Sequence, residues 1–225
     1  MLAAAFAYAG ARVCLVARSR EKLDEVRSSL PGQHMVCAGS VTESAFNEQV
    51  ADAVMLEHGR LDVWICNAGI SPVFGGPGKV TAEQWREVID VNLTGPFLGA
   101  KAAARVMANG GRIIMTASVL GERPKRGLSA YSASKAGLIG LTKALALDLA
   151  GIGITVNAVV PGWFYSRLAG DYRKPEYEEG ILAHTALRRW GTGADLPAAC
   201  MYLASSAASF VTGAVLAVDG GYLLA

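Results

Sequence analysis

The chain has 225 residues, of which 52% are hydrophobic and 18% charged, and its formal net charge is +2. This apolar content excludes an intrinsically disordered protein, because disorder requires low hydrophobicity and high net charge. The small net charge argues against a dedicated nucleic-acid-binding protein, which normally carries a strong basic excess. The four cysteines are too few for a disulfide scaffold and indicate reduced thiols in a cytoplasmic protein. The length is that of one large α/β domain.

Two apolar segments resemble export or membrane signals only superficially. Residues 1–11 lack the positively charged start of a signal peptide. We predict that they are the last part of a helix, which ends at Gly10. Residues 196–218 are uncharged but read as a helix followed by a strand in a protein core. The three histidines show no metal-ligand spacing, and we expect neither a membrane span nor a metal site.

Apolar runs alternate with helical periodicity along the whole sequence. Strands are predicted at 12–17, 33–38, 61–66, 111–118, 154–160 and 214–218, and helices at 19–30, 43–58, 81–109, 130–150 and 194–205. Several strands are almost entirely apolar, which is typical of parallel strands covered on both faces. The pattern predicts a single α/β domain over residues 1–225 with a doubly wound, Rossmann-like parallel sheet.

Residues 161–195 form the longest irregular stretch and are rich in Tyr and Trp. The stretch follows the carboxyl end of a predicted strand, where α/β sheets bind their ligands. Long loops at such places are often functional, so we predict a substrate loop or lid. A surface excursion with its own short helix is the alternative.

Tyr131 and Lys135 are four residues apart in a predicted helix, so their side chains project from one face. A phenol has a pKa near ~10, too high for efficient proton transfer at neutral pH. A neighbouring ammonium favours the phenolate and lowers that pKa. The pair is therefore a candidate acid/base unit, although Tyr-x-x-x-Lys pairs also occur as packing pairs on many helices.

Other polar residues point to the same edge of the sheet. Ser118 ends an apolar strand, where its hydroxyl could bind a substrate oxygen together with the Tyr131 phenol, or simply start a loop. Asn92 lies inside a predicted helix, where Asn is unfavourable because it competes for backbone hydrogen bonds. We expect a kink with a function there, such as holding a water molecule.

Taken together, these features resemble the short-chain dehydrogenase/reductase family. The matching residues are Asn67, Ala68, Gly69, Asn92, Ser118, Tyr131, Lys135, Asn157, Pro161, Gly162, Asp219, Gly220 and Gly221. Their order and spacing match the family, and the similarity runs from Met1 to the C-terminus. The resemblance implies an NAD(P)-dependent oxidoreductase that acts on the CH–OH groups of a small-molecule alcohol or ketone.

The resemblance also implies a role for each catalytic residue. Tyr131 would be the general acid in reduction and the base in oxidation, and Ser118 would orient the substrate oxygen. Lys135 would lower the pKa of the phenol and hold the nicotinamide ribose. Asn92 would hold the water of a proton relay that leads to Lys135.

The resemblance places further contacts around the cofactor and the substrate. The segment Asn67, Ala68 and Gly69 and the pair Pro161 and Gly162 would line the cofactor. Phe164 and Ser166 would fix the carboxamide, with Ser166 standing where the family usually has Thr. Trp163 would contact the substrate.

The end of the strand 12–17 bears on the choice of cofactor. NAD enzymes of this fold place an acidic residue there for the adenine ribose. This sequence has Ala17 followed by Arg18, whose guanidinium suits a 2′-phosphate. NADP(H) is therefore favoured over NAD(H), and a solvated Arg18 is the alternative. Ser40 and Val41, which stand where the family often has Asp, weaken the adenine contacts.

One part of the family pattern is missing. The family begins with a strand and a turn, Thr-Gly-x-x-x-Gly-x-Gly, that brings the cofactor pyrophosphate to a helix N-terminus. Met1 aligns inside that helix, so we expect a gap in the sheet flanked by two unpaired strand edges. Three explanations stay open: a fragment or misassigned start of a longer protein, a real short form with weak cofactor affinity, or a partner chain that fills the gap.

Two functions therefore remain open, an NADP(H)-dependent oxidoreductase and a truncated, non-catalytic member that associates with related subunits. The resemblance implies a homodimer or homotetramer formed through the helices 81–109 and 130–150, located in the cytoplasm and without nucleic-acid or membrane partners. The basic cluster from Arg123 to Arg126 is expected to be a solvated loop. No motif reveals the substrate or the direction of the reaction.

Overall fold

The structure is a computed structural model that describes the backbone of residues 1–225 and every side chain except those at positions 167 and 171. Its strands are β1 (Cys14–Ala17), β2 (Met35–Ala38), β3 (Val63–Cys66), β4 (Arg112–Thr116), β5 (Thr155–Pro161) and β6 (Val215–Val218). Its helices are α1 (Leu2–Tyr8), α2 (Arg20–Ser28), α3 (Ser44–His58), α4 (Ala82–Ile89), α5 (Gly95–Val106), α6 (Ser129–Ala150), α7 (Pro175–Ala183) and α8 (Pro197–Ala204). The alternation of strands and helices confirms the predicted α/β class.

The strands form two parallel sheets. One contains β1 and β2, and the other has the order β3-β4-β5-β6. Within the described backbone, no strand is hydrogen-bonded between β1 and β3, so the expected gap is present. The edges of β1 and β3 that face away from their partners β2 and β4 are unpaired.

The four-stranded sheet is covered on both faces. Successive residues of β4 point to opposite sides, so Ile113 and Met115 join the cluster beside α6, while Ile114 joins the cluster beside α8. All three side chains are at most 1% exposed. This two-sided burial explains why the strand reads as an unbroken apolar run. In β3, by contrast, Val63 and Ile65 are only partly buried.

The helix predicted for residues 81–109 is divided in two. Thr81 and Gln84 form a capping box at the start of α4, and the chain passes through a π-helical turn, Asp90–Thr94, into α5. Asn92 lies in this turn and is completely buried. The kink expected at Asn92 is therefore present, and π turns inside α-helices are frequent at functional sites.

The segment 161–195 contains structure of its own, a 3-10 segment (Arg167–Arg173) and helix α7. Helix α7 begins at Pro175, whose fixed φ suits a first helical position. The ring centroid of Trp163 lies 5.0 Å from that of Tyr172 and 6.0 Å from that of Trp190. The short helix offered as the alternative is thus present, and the lid function stays a prediction.

None of the helices in the described part of the chain is both long and apolar enough to cross a bilayer. The described side chains also include no cluster of three or more His, Cys, Asp or Glu residues placed to hold a metal ion.

Candidate active site

The predicted catalytic residues meet where β4 ends and α6 begins. Helix α6 starts at Ser129 and carries Tyr131 and Lys135 in its first two turns. Tyr131 is 8% exposed, Lys135 is 3% exposed, and Ser118, two residues beyond β4, is 7% exposed. Burial of an ionisable side chain is costly unless it is paired or has its pKa shifted.

Lys135 is fixed by the backbone of β4. Its Nζ donates a hydrogen bond of 2.7 Å to the carbonyl oxygen of Thr116 and lies 5.7 Å from the centroid of the Tyr131 ring. Burial lowers the pKa of Lys135 from 10.5 to about 8, against a smaller opposing effect of the Cys66 thiol. The side chain therefore loses its proton far more readily than an exposed lysine.

Ser118 and Tyr131 are neighbours, but the phenol is not activated as expected. Burial raises the pKa of Tyr131, and the hydrogen bond with the Ser118 hydroxyl lowers it by less. The pKa of Tyr131 is therefore raised overall, and the expected effect of Lys135 on it stays a prediction. The ammonium approaches the face of the ring and is directed to the Thr116 carbonyl, so burial dominates.

The position of Ser118 depends on a close contact between backbones. Its Oγ accepts a 3.2 Å hydrogen bond from the N–H of Leu120 and caps the 3-10 turn Val119–Gly121. A β-carbon on Gly121 would lie 2.8 Å from the carbonyl carbon of Lys135. The turn therefore packs directly on the backbone of α6, which brings the Ser118 hydroxyl to the Tyr131 side of the helix.

Asn92 connects three parts of the site. Its Nδ2 donates to the carbonyl oxygen of Ile70 at 2.9 Å and to Oγ of Ser134 at 3.1 Å, and its Oδ1 accepts from the N–H of Ile70 at 2.8 Å. Both amide hydrogens are used. The remaining lone pair of Oδ1 is the only group of this side chain left for a water molecule.

The segment Asn67–Gly69 lies exposed beyond β3, next to the catalytic residues. A β-carbon on Gly69 would lie 3.4 Å from Oδ1 of Asn92 and 3.5 Å from Nζ of Lys135. Asn67 accepts a 3.4 Å hydrogen bond from the Thr116 hydroxyl, and Ala68 is exposed. Arg18 lies apart from this group, exposed after β1 in the other sheet.

The residues after β5 hold the loop 161–195 against the sheet. Pro161 ends β5, and a β-carbon on Gly162 would lie 2.7 Å from Cα of Asp219, so no larger residue fits there. Phe164 forms an isolated bridge with Gly191. Ser166 accepts a 3.3 Å hydrogen bond from the N–H of Ala169, so its hydroxyl oxygen already acts as a local cap.

The sequence gives no sign of some residues that complete the site. The Thr116 carbonyl is a backbone group, and a sequence carries no signal for it. Ser134 precedes Lys135, and its hydroxyl also donates to the Tyr131 carbonyl at 2.7 Å. Lys125 is a further correction, because the basic cluster was expected to be solvated. Its ammonium lies instead against the rings of Trp163 and Tyr172.

The residues present would suit a dinucleotide cofactor at each of the cofactor's two ends. The buried Lys135 amine with its carbonyl partner suits a ribose hydroxyl, and the exposed Arg18 has no acidic partner among the described side chains. Between these ends, the backbone from β1 to β3 supplies no glycine-rich turn for a pyrophosphate. The residues therefore fit the nicotinamide and adenine ends of the cofactor better than its centre.

Replacing Gly121 with Ala tests the close contact that positions Ser118. We expect the free energy of unfolding to fall by about 1–3 kcal/mol, because the added methyl group must push the turn away from α6. Gly140→Ala is the matched control, since its added β-carbon meets nothing within 4 Å apart from its chain neighbours and the backbone of its own helix. That variant should gain about 0.5–1 kcal/mol, because Gly is unfavourable inside a helix. Denaturant titrations measure both, and equal effects would contradict the close contact.

Replacing Lys135 with Met tests its lowered pKa. Between the folded pKa of about 8 and the unfolded value of 10.5, the unfolded chain binds more protons, so this lysine makes stability rise with pH. The free energy of unfolding of the wild type, minus that of Lys135→Met, should rise by about 2 kcal/mol from about pH 8 to about pH 10. Subtraction cancels the effects of the buried thiols, which titrate in both proteins.

The control for this experiment is Lys143→Met, which removes an exposed lysine from the same helix. Its stability should follow that of the wild type across the whole pH range. A difference between wild type and Lys135→Met that does not change with pH would show that Lys135 keeps an ordinary pKa.

Comparison with known proteins agrees with this geometry. A family model described as enoyl-(acyl carrier protein) reductase matches residues 1–223. The human dehydrogenase/reductase SDR family member 4 is 34% identical over 94% of this chain and 78% of its own length. The 3-oxoacyl-(acyl-carrier-protein) reductase FabG of Salmonella typhimurium is 34% identical over 94% of this chain and 87% of its own.

Solved structures show the same fold. A short-chain type dehydrogenase/reductase from Mycobacterium ulcerans superposes with a TM-score of 0.95 at 31% identity, covering 99% of this chain and 84% of that one. One from Mycobacterium marinum gives a TM-score of 0.90 at 34% identity, covering 98% and 89%. The chain is thus a member of the short-chain dehydrogenase/reductase family of oxidoreductases.

Proposed function

We propose that the chain transfers a hydride between NADP(H) and the carbonyl or hydroxyl carbon of a small molecule. The observation that carries this proposal is the juxtaposition of Ser118, Tyr131 and Lys135 at the carboxyl edge of the four-stranded sheet. Ser118 is close enough to Tyr131 to lower the pKa of the phenol, and Lys135 is hydrogen-bonded to the strand end beside them. In α/β sheets, ligands bind at this edge.

The proton chemistry follows from the bonding of these three residues. In reduction, the neutral Tyr131 phenol gives its proton to the substrate oxygen, and in oxidation the phenolate takes it back. The Ser118 hydroxyl donates to the same substrate oxygen, while its own oxygen accepts a hydrogen bond from the N–H of Leu120. Lys135, with its pKa of about 8, can return a proton toward Tyr131 near neutral pH.

Asn92 acts in this scheme mainly as a positioning residue. Its bonds to Ile70 and Ser134 hold the exposed segment after β3 against α6, one residue from Lys135. A relay water would be bound by its Oδ1, which keeps one free lone pair.

The cofactor, when bound, supplies the hydride. We infer that Lys135 and Tyr131 hold its nicotinamide ribose and that the exposed segment Asn67–Gly69 lies along it. The backbone of Pro161, Gly162 and Phe164, with Ser166, closes the carboxamide end. Arg18 would bind the 2′-phosphate, and this contact would favour NADP(H) over NAD(H).

Replacing Tyr131 with Phe removes only the phenolic oxygen. We expect the rate of NADPH-dependent ketone reduction to fall by about 100-fold or more, since a positioned general acid contributes this much. The absorbance of NADPH during turnover of a panel of ketones measures the rate. Tyr202→Phe, which changes an exposed tyrosine on α8, should keep the full rate. Full activity in Tyr131→Phe would exclude this residue as the acid.

Replacing Arg18 with Met tests the choice of cofactor. Loss of a charge-assisted phosphate contact should weaken NADPH binding by about tenfold or more and leave NADH binding unchanged. Arg20→Met is the matched control, because Arg20 already pairs with Asp24 at 2.9 Å. Fluorescence titration with each dinucleotide measures both affinities. An equal loss for NADPH and NADH would argue against a 2′-phosphate contact.

A second candidate function is a chain that does not bind the cofactor and acts through association with related subunits. The unpaired edges of β1 and β3, and the missing pyrophosphate turn between them, favour it. The same titration separates the two candidates. No NADPH binding at about 1 mM, an affinity weaker than about −4 kcal/mol, would leave the second candidate alone.

We also propose a homodimer or homotetramer formed through α4, α5 and α6. The support is the exposed apolar side chains on these helices, among them Trp85 at 41%, Phe97 at 43% and Leu147 at 82%. A cytoplasmic location is proposed on the four cysteines, all of which are free thiols.

A further inference from the structure

Lys125 lies in the loop between β4 and α6 and places its ammonium against two aromatic rings. Its Nζ lies 5.0 Å from the centroid of Trp163 and 4.7 Å from that of Tyr172. These distances fall within the range of cation–π interactions. Both rings pack against the apolar cluster that contains Tyr131. We call Lys125 with the rings of Trp163 and Tyr172 the cation cage. The cage therefore lies on the same side of the sheet as the candidate acid/base group.

The charge of Lys125 has no acidic partner among the side chains that the structure describes. Burial lowers its pKa. Glu178, in helix α7, instead accepts hydrogen bonds from Nε1 of Trp190 at 2.7 Å and from the Tyr165 hydroxyl at 3.4 Å. A partly desolvated cation without a counter-ion is costly, and a bound anion would offset that cost.

The two rings of the cage carry unused hydrogen-bond donors. Nε1 of Trp163 and the hydroxyl of Tyr172 are both buried and have no hydrogen-bond partner among the described residues. Indole and ammonium groups only donate, and a phenol donates as well as accepts. Buried polar groups normally have hydrogen-bond partners. Two donors without a partner beside one ammonium therefore point to a ligand that accepts hydrogen bonds.

We propose that Lys125, Trp163 and Tyr172 form a subsite for a carboxylate carried by the substrate. An ionised carboxylate only accepts hydrogen bonds, and its negative charge would pair with the Lys125 ammonium. The rings suit an apolar or aromatic body between this carboxylate and the reacting carbonyl. The substrate class is then a keto acid or hydroxy acid, and Lys125 is a specificity-determining residue. This inference rests on the proposed function, because the bound acid is a substrate only if the chain transfers a hydride to it.

A binding experiment without cofactor tests the subsite directly. The probes are 4-acetylbenzoate and its neutral analogue 4-acetylbenzamide, titrated into the 225-residue chain and followed by tryptophan fluorescence. We expect the wild type to bind the acid about tenfold more tightly than the amide, as expected for one charge-assisted contact. Lys125→Met should abolish this preference and leave the affinity for the amide unchanged.

Two further variants separate the subsite from general attraction by a basic loop. Arg126→Met removes an exposed charge from the same loop and should keep the preference for the acid. Tyr172→Phe keeps the ring, removes one orphaned donor, and should weaken binding of the acid by about threefold, as for one neutral hydrogen bond.

The inference is overturned if the wild type binds acid and amide equally or binds neither, or if Lys125→Met keeps the preference. Because the titration involves no turnover, its outcome is independent of the proposed function. Charge-selective binding without hydride transfer would contradict the proposed function alone. Hydride transfer to both ketones with equal KM would contradict the subsite alone.

Discussion

The hydrogen bond between Nζ of Lys135 and the carbonyl of Thr116 joins helix α6 to the end of β4, and the arrangement of the site depends on it. It provides a polar partner for an amine that is almost completely buried. It also fixes the rotation of α6, so Tyr131, one turn earlier, faces the same strand end. The 3-10 turn that carries Ser118 packs on the α6 backbone at Gly121. Three functional groups from two segments of the chain are thus held together by contacts with the backbone.

The regular parts of this fold could be predicted because burial leaves a periodic trace in the sequence. Strand β4, observed at Arg112–Thr116, was expected at 111–118, and its ends differ because only residues 112–116 pair with β5. Apolar periodicity continues through the π turn at Asn92, so the sequence suggests one long helix where there are two. Helix α7 was predicted only as an alternative and without bounds, because a segment of nine residues, PEYEEGILA, is too short to show a clear helical period.

The site could be predicted only as far as side-chain identity carries information. The spacing of Tyr131 and Lys135 and the strand-end position of Ser118 indicated the chemistry. The sequence could not show that burial lowers the pKa of Lys135 and raises that of Tyr131, because both shifts depend on tertiary packing. The environment of Lys125 was hidden for the same reason, since its two aromatic neighbours lie far along the chain.

The division of the sheet has a consequence for the behaviour of the chain in solution. Edges of β-sheets offer rows of free N–H and C=O groups that template the binding of other extended chains. Soluble proteins protect such edges with charges, prolines or bulges, whereas β3 has the sequence Val-Trp-Ile-Cys. In this structure β1 and β3 each keep one such unpaired edge. We therefore expect these two edges to be the places where an extended segment of another chain would add to the structure.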